Sequence, residues 1–408
     1  MGQNSTTDES SSSSSTETVQ QWARDLNSRN FRDREAAMRQ LLDAGERAIP
    51  HVVKAAENGS TEAVWRALFI LDRFSMSDDY ELMDGAVLAL ESLAKSSRPQ
   101  LAARAASALA KHQDERDQLA MMRLRTLGAN VTTLNGSGTS VRLDNKWKGG
   151  NSGLVHLKRL KSITSIRFEQ SMVSDRGLVH LAGMDRLQRA YLGATQIRGP
   201  GLVHLKDCPR LTYLSLKGLT IDDEAAWFLG QLTQLEHLGL DETPLSDRAM
   251  SHLVDLQHLK TLWLNRTKVT DSGLVHLAKI EPLEKLILTG TQIDGAGLSH
   301  FKDSKNLKYL SLQHVDFTDD GMKHIAGLSQ LETLGLDDTK ITGAGLQHVV
   351  GLEKLSVLWL SNTQVSDASI EHFKQFQGLT KLYLKGTKLT STGVQRLRKA
   401  LPHCYIVH

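Results

Sequence analysis

Cysteine is nearly missing from this chain: Cys208 and Cys404 are the two in 408 residues, too few for a disulfide framework to hold the fold. Aromatic residues are sparse too, at 5%, so any place where they gather stands out. No apolar run approaches the roughly 18 residues of a membrane span. Neither sign of charge dominates. The net charge is +3, with −3 over residues 1–128 and +6 over the rest, so no nucleic acid and no membrane surface is implied as partner. A phosphate loop, G-x-S-x-G, C-x-x-C and H-E-x-x-H are all lacking, and with them any motif for catalysis, cofactor or metal. The reading is therefore a protein that is not an enzyme, with no cofactor and no metal.

The start, MGQNSTTDESSSSSSTET, has no apolar core of the kind a signal peptide needs. The chain is expected in the cytoplasm, unless a leader is missing from this sequence. Met1-Gly2 with Thr6 formally fits the myristoylation pattern but lacks a basic second signal. The run Ser10 to Ser15 has nothing to pack, so residues 1–18 are expected to be a disordered tail.

What the chain has instead is a period. Steps of 24 from Gly153 reach Gly177, Gly201, Ala225, Ala249, Gly273, Gly297, Gly321, Gly345, Ser369 and Gly393, eleven copies without an insertion or deletion. One unit reads Leu259-Lys-Thr-Leu262-Trp-Leu264-Asn-Arg-Thr267-Lys-Val269-Thr270-Asp271-Ser-Gly273-Leu274-Val-His-Leu277. Leu262 and Leu264 alternate like a strand with one buried face, and Leu274, Leu277 and Ile280 follow at the spacing of a short helix. Ser174, Asp222, Ser246, Thr270, Asp294, Thr318, Thr342, Ser366 and Thr390 stand where an N-cap belongs, with Arg198 departing. Hydroxyls at Ser171, Thr195, Thr243, Thr267, Thr291, Thr339, Thr363 and Thr387 are expected to form a ladder to the backbone of the neighbouring coil, broken at Leu219 and Val315. Stacked coils put Cys208 and Cys404 eight coils apart, roughly 39 Å at a strand spacing of ~4.8 Å, beyond reach of a bridge.

This pattern, L-x-x-L-x-L-x-x-T, resembles the leucine-rich repeat of the ribonuclease-inhibitor-like class, over residues 129–408. The resemblance implies an α/β solenoid, a right-handed horseshoe with a parallel concave sheet and helices on the convex side. Residues 19–128 follow another grammar: helical spacing over Glu17 to Asn27, Arg34 to Ala44, Thr61 to Ser75, Asp79 to Lys95 and Leu101 to Lys111, then a connecting helix within 112–128. The stretch from Phe31 to Pro50 resembles a HEAT-type helix, so an all-α HEAT-like domain is expected before the repeats. Val131 to Leu143 should cap the first coil, and Leu401 to Val407 should close the last.

Two columns could carry chemistry. Nine coils place a histidine three residues after the glycine position: His156, His180, His204, His252, His276, His300, His324, His348 and His372. They are read as structural, a flank copied with the repeat. The other column faces outward from the strands: Arg167, Tyr191, Ser215, Gly239, Trp263, Ile287, Ser311, Gly335, Trp359 and Tyr383. His237 and the residues Tyr213, Lys217, Asp241, Asn265, Lys285, Tyr309, Asp337, Lys381 and Lys385 flank it. In a chain so poor in aromatics, Trp and Tyr collecting at exposed strand positions point to contact work. Tyr213, Asp241, Trp263 and Lys285 recur 96 residues later as Tyr309, Asp337, Trp359 and Lys381, the trace of a duplicated four-coil block. Asp241 and Asp337, four coils or about 19 Å apart, are too distant for paired-carboxylate catalysis.

The expected function is a recognition scaffold holding a protein partner on this face. Its contacts are Tyr213, Lys217, Asp241, Trp263, Asn265, Lys285, Tyr309, Asp337, Trp359, Lys381 and Tyr383. Members of the resembled class mostly bind proteins. The added Tyr383 favours the C-terminal copy as the stronger patch. The alternative is carbohydrate stacked on Trp263 and Trp359.

Overall fold

The structure is a computed structural model that describes residues 9–134 and 138–408. The myristoylation pattern and the first part of the expected tail lie outside the described residues. The chain divides into two compact units, Met1–Arg123 and Leu124–His408.

The first unit is built of helices α1 (Glu9–Asp25), α2 (Phe31–Ala44), α3 (Ile49–Asn58), α4 (Thr61–Phe74), α5 (Tyr80–Ala94) and α6 (Pro99–Lys111). A seventh, α7 (Gln113–Thr126), runs across the division. α1 packs on α2, α3 on α4, α4 on α5 and α5 on α6, around Leu26, Leu41, Val52, Ile70, Leu71 and Leu90. Helix α1 contributes the buried stripe Val19, Ala23 and Leu26. Residues 49–58, between the segments marked by helical spacing in the sequence, form α3: Pro50 sits in its first turn, where a missing N–H is no loss, and Val52 and Ala56 are buried.

The second unit carries one sheet, whose order follows the chain. Its strands are β1 (Asn130–Leu134), β2 (Gly138–Arg142), β3 (Ile163–Arg167), β4 (Arg189–Tyr191), β5 (Tyr213–Ser215), β6 (His237–Gly239) and β7 (Thr261–Trp263). They continue as β8 (Lys285–Ile287), β9 (Tyr309–Ser311), β10 (Thr333–Gly335), β11 (Val357–Trp359), β12 (Lys381–Tyr383) and β13 (Tyr405–Val407). β1 and β2 form an antiparallel cap and all later pairings are parallel; from β4 onward each strand is matched to the residue 24 earlier, as Leu286 with Leu262, while β3 slips by one residue along β2. The strand and convex-side leucines, among them Leu262, Leu264, Leu274 and Leu277, are fully buried. The convex segments are shorter than the class resemblance implies. Several are single α-turns of four residues, and Ser152–Arg159, Pro200–Asp207 and Ala296–Phe301 are 3-10 helices. A period of 24 leaves too few residues for more once the strand and two turns are made.

Each coil closes by a local device that the sequence did not announce. One position after the strand, at every coil from Gln170 to Gly386, takes φ between +52° and +74°; seven of the ten residues are not glycine. The left-handed residue turns the chain inward and still donates its N–H to the next coil, as Arg266 does to Thr289 and Glu242 to Asn265. That turn also explains a correction. The hydroxyl column does not reach the neighbouring coil; each Ser or Thr donates to the carbonyl three residues back in its own coil, at 2.6–2.8 Å. The reversed backbone presents that carbonyl first.

Coil-to-coil polar closure falls instead to an aspartate beside the cap. Asp247 accepts both the N–H and the hydroxyl of Thr270, at 2.7 and 2.6 Å, and Asp319 and Asp367 treat Thr342 and Thr390 likewise. The cap oxygen meanwhile accepts from its own helix: Ser272 N–H to Thr270, Ala344 N–H to Thr342. Ser174 and Thr318 stand at cap positions without such a bond. Where the next coil has glycine, Asp271 takes three backbone N–H groups, from Asp294, Gly295 and Gly297. Gly295 sits at φ +112°, and a Cβ there would strike the Phe317 ring.

Two outcomes are expected. Leu286→Ala, packed between coils on both sides, should cost about 2–5 kcal/mol, and Leu397→Ala in the last helix (Ser391–Ala400) clearly less. Equal losses in a denaturant titration would contradict the stacked-coil account. Asp271→Ala strands buried N–H groups in the next coil and should cost about 1–3 kcal/mol by the same titration, with the secondary structure retained by circular dichroism.

Candidate binding surface on the concave sheet

Strand geometry decides which side chains can touch here. Residues on either side of each buried leucine leave the sheet on the outer face, and parallel pairing in register brings equivalent positions together every strand. Tyr213 and Trp263 lie two strands apart, yet their ring centroids are 6.1 Å apart, across Gly239 on the strand between. Tyr309 and Trp359 repeat this at 6.2 Å across Gly335. A Cβ at Gly335 would come within 3.2 Å of the Trp359 ring, whereas one at Gly239 would meet Ser215 first, at 3.4 Å.

The N-terminal platform is the larger. His237 joins Tyr213 and Trp263 at 6.1 and 6.4 Å, Tyr191 joins Tyr213 at 4.9 Å, and the Arg167 guanidinium stands 4.3 Å over Tyr191. Tyr383 extends the C-terminal platform, 5.9 Å from Trp359. Arg167, Tyr191 and His237 were on the right face in sequence but outside the expected contact set. The signal that could have included them is the in-register diagonal, since Arg167 pairs with Tyr191 and Tyr213 with His237.

The polar members sort into two kinds. Asp241 Oδ1 accepts from Asn265 twice, from its backbone N–H at 3.0 Å and its side-chain amide at 2.7 Å. Asn265 in turn accepts from Thr289 N–H, so both serve partly to tie coils together. Asp337 accepts from Ser361 N–H at 2.6 Å and from Gln313 Nε2 at 2.8 Å. Lys217 pairs with Glu242 at 3.5 Å. Lys285 and Lys381 are exposed at the first position of their strands. Burial among rings pushes the carboxyls of Asp241 and Asp337 above the ordinary range, partly offset by those hydrogen bonds. The same burial raises the phenols of Tyr213 and Tyr309 and lowers the imidazole of His237, each by disfavouring its charged form.

Elsewhere, eight histidines of the convex column are half-buried and His300 is exposed. Among the described residues no three of His, Cys, Asp and Glu gather as a metal site would need. Cys208 is buried, its thiol pushed up to about 11, and Cys404 is half-buried; both are free thiols. No described helix is long and apolar enough to cross a membrane. On the helical unit Trp65 (52% exposed) stacks on Phe69, and Arg66, held by Glu35 and Glu62, lies over both Trp65 and Phe31. The sequence reading assigned that exposed cluster nothing.

The C-terminal unit is a leucine-rich-repeat solenoid, and residues 303–326 match the family model described as Leucine Rich repeat. That match covers one coil of the solenoid, and an all-helical unit precedes the solenoid in the chain. Among solved structures it is similar to an internalin from Listeria monocytogenes: 16% identity, 66% of this chain and 86% of that chain, TM-score 0.43. A leucine-rich-repeat protein of Leptospira interrogans is similar at 19% identity, over 62% of this chain and 80% of that one, TM-score 0.35. A plant peptide hormone receptor in complex with RGF2 is similar at 15% identity, over 62% and 56%, TM-score 0.35. No curated protein matches the chain in sequence.

A raised carboxyl fixes the sign of a pH effect. The folded state disfavours ionised Asp241, so that cost is full at neutral pH, shrinks as pH falls through its raised folded value, and is gone below the ordinary range of the unfolded chain. Asp241→Asn keeps an acceptor for Asn265 and should be more stable than the native chain at pH 7. Urea titrations at pH 7 and 4 should show the difference closing; a gap independent of pH would contradict the burial account.

Proposed function

We propose that this protein is a non-catalytic recognition scaffold that holds a protein partner on the concave sheet. The observation that carries this reading is the pair of ring platforms, each spanning a glycine on the intervening strand. Trp263, Trp359, Tyr213, Tyr309 and Tyr383 are only half-buried, although a leucine core lies directly beneath them. Half-buried Trp and Tyr on a rigid sheet provide large contact area at little entropic loss. Lys217, Lys285 and Lys381 surround the rings with positive charge, and Asp241, Asn265 and Asp337 set the polar positions between them. The N-terminal platform is the stronger contact in this reading, reversing the weight that Tyr383 alone gave the C-terminal one. Its rings and the Arg167 guanidinium form one continuous surface over strands β3 to β7.

The test is affinity capture with three forms of the full chain. A partner should be retained by the native chain and by Trp227→Ala, which removes a 51%-exposed tryptophan from the convex side. It should be lost with Trp263→Ala and Trp359→Ala combined. Once that partner is in hand, Trp263→Ala alone should weaken it by about 2 kcal/mol, roughly thirtyfold, and Trp359→Ala by less. Equal capture by all forms would remove the sheet from the function.

A further inference from the structure

The helical unit holds a cavity of its own, about 470 Å³ in volume, between α1 and α3 and reaching the start of α4. His51, Lys54, Ala55 and Asn58 follow one another at three- and four-residue spacing, so one face of α3 makes a wall. Ala23 and Arg24 of α1 make the other. The floor is small and apolar: Ala23 and Ala63 are buried and Ala55 is half-buried. The polar lining is basic. Arg24 comes from one wall and His51 and Lys54 from the other, and no Asp or Glu among the described residues lines the cavity. None of these three side chains bonds to another group among the described residues.

Independently of the concave sheet, we propose that this cavity binds a small phosphomonoester, its phosphate held by Arg24, His51 and Lys54 and its apolar body on the alanine floor. The charges match. A phosphomonoester carries about −1.5 to −2 near neutrality, and Arg24 and Lys54 answer it with two permanent cations from opposite walls. A carboxylate would leave one of them unanswered. Its two oxygens also lie in one plane, whereas the three oxygens of a phosphate can accept from both walls at once. The volume calls for a body as well as a charge. Small-molecule sites typically measure ~300–1,000 Å³ and are mostly apolar with a few placed polar groups, and a bare phosphate ion would leave the three alanines uncovered. Two amides complete the lining. Asn27 Oδ1 accepts from the Ser60 N–H at 3.2 Å and Asn58 Nδ2 donates to the Lys54 carbonyl at 3.0 Å. Asn27 Nδ2 is thereby left to donate to the ligand and Asn58 Oδ1 to accept from it.

Equilibrium dialysis of the full chain against naphthyl phosphate, inorganic phosphate and naphthoate tests the proposal. Naphthyl phosphate should saturate a single site, and the other two should bind at least tenfold more weakly, since each lacks one half of the fit. Arg24→Gln and Lys54→Gln change exposed side chains and should each weaken naphthyl phosphate at least tenfold. Ala55→Leu, which fills the floor with a good helix former, should abolish binding while circular dichroism stays native. Arg39→Gln, exposed on α2 and outside the cavity, should change nothing. No saturable binding of naphthyl phosphate, or binding indifferent to both Arg24→Gln and Lys54→Gln, would overturn the proposal. Equal affinity for naphthoate would overturn the phosphate assignment, and equal affinity for inorganic phosphate would overturn the apolar body.

Discussion

A single 24-residue coil cannot bury its own leucines, and everything else in the C-terminal unit follows from that constraint. Leu262, Leu264, Leu274 and Leu277 lie in one coil, but the surfaces that remove them from water belong partly to the coils before and after. Stacking must therefore be in register, and from β4 onward the parallel pairing of each strand with the one 24 residues earlier is the result. Once the register is set, backbone groups between strand and helix also need partners. The left-handed residue after each strand supplies them by carrying the ladder one step past the strand. Where an aspartate stands beside the cap it does the same at the helix entrance, as Asp247 accepts the N–H and hydroxyl of Thr270 in the next coil. The solenoid is thus held by apolar burial within, by backbone hydrogen bonds at the left-handed turn and by charge-assisted ones at these aspartates.

The same constraint leaves the outer face of the sheet free to vary. Its positions do not contribute to the leucine core, so they can hold glycine on one strand and tryptophan on the next without disturbing the stack. Gly239 and Gly335 lie between rings two strands apart that meet and make a surface out of isolated side chains. Asp241 and Asn265 lie on the border between the two roles. Each faces the groove and each also satisfies the backbone of the following coil, so their place at the sheet is structural before it is functional.

Much was legible before any coordinates. The 24-residue period, the buried alternation of Leu262 and Leu264, and the helical character of residues before the repeats follow from spacing alone, because a repeat that stacks on itself leaves its period in the chain. The membership of the outward column was legible too, since alternation assigns every strand residue to a face. Other features were hidden by the nature of local signals. Arg266 and Glu242 carry nothing that marks a left-handed backbone. The hydroxyl of Thr267 could satisfy either coil equally well on paper, and chose its own because the turn brought the Leu264 carbonyl to it. Asp271 looked like an ordinary first-turn acid, and its three acceptances from the next coil depend on where residues 294–297 come to rest.

The sequence by itself determined the repeat, the faces and the roster of outward side chains, since these depend only on periodicity. The tertiary structure alone decided which of those side chains form a surface. Tyr213 and Trp263 are 50 positions apart in the chain, and whether their rings meet depends on strand spacing, on register and on the glycine between them. None of these is a property of either residue. Contact across a sheet is a distance in space, and a one-dimensional pattern fixes direction without fixing distance.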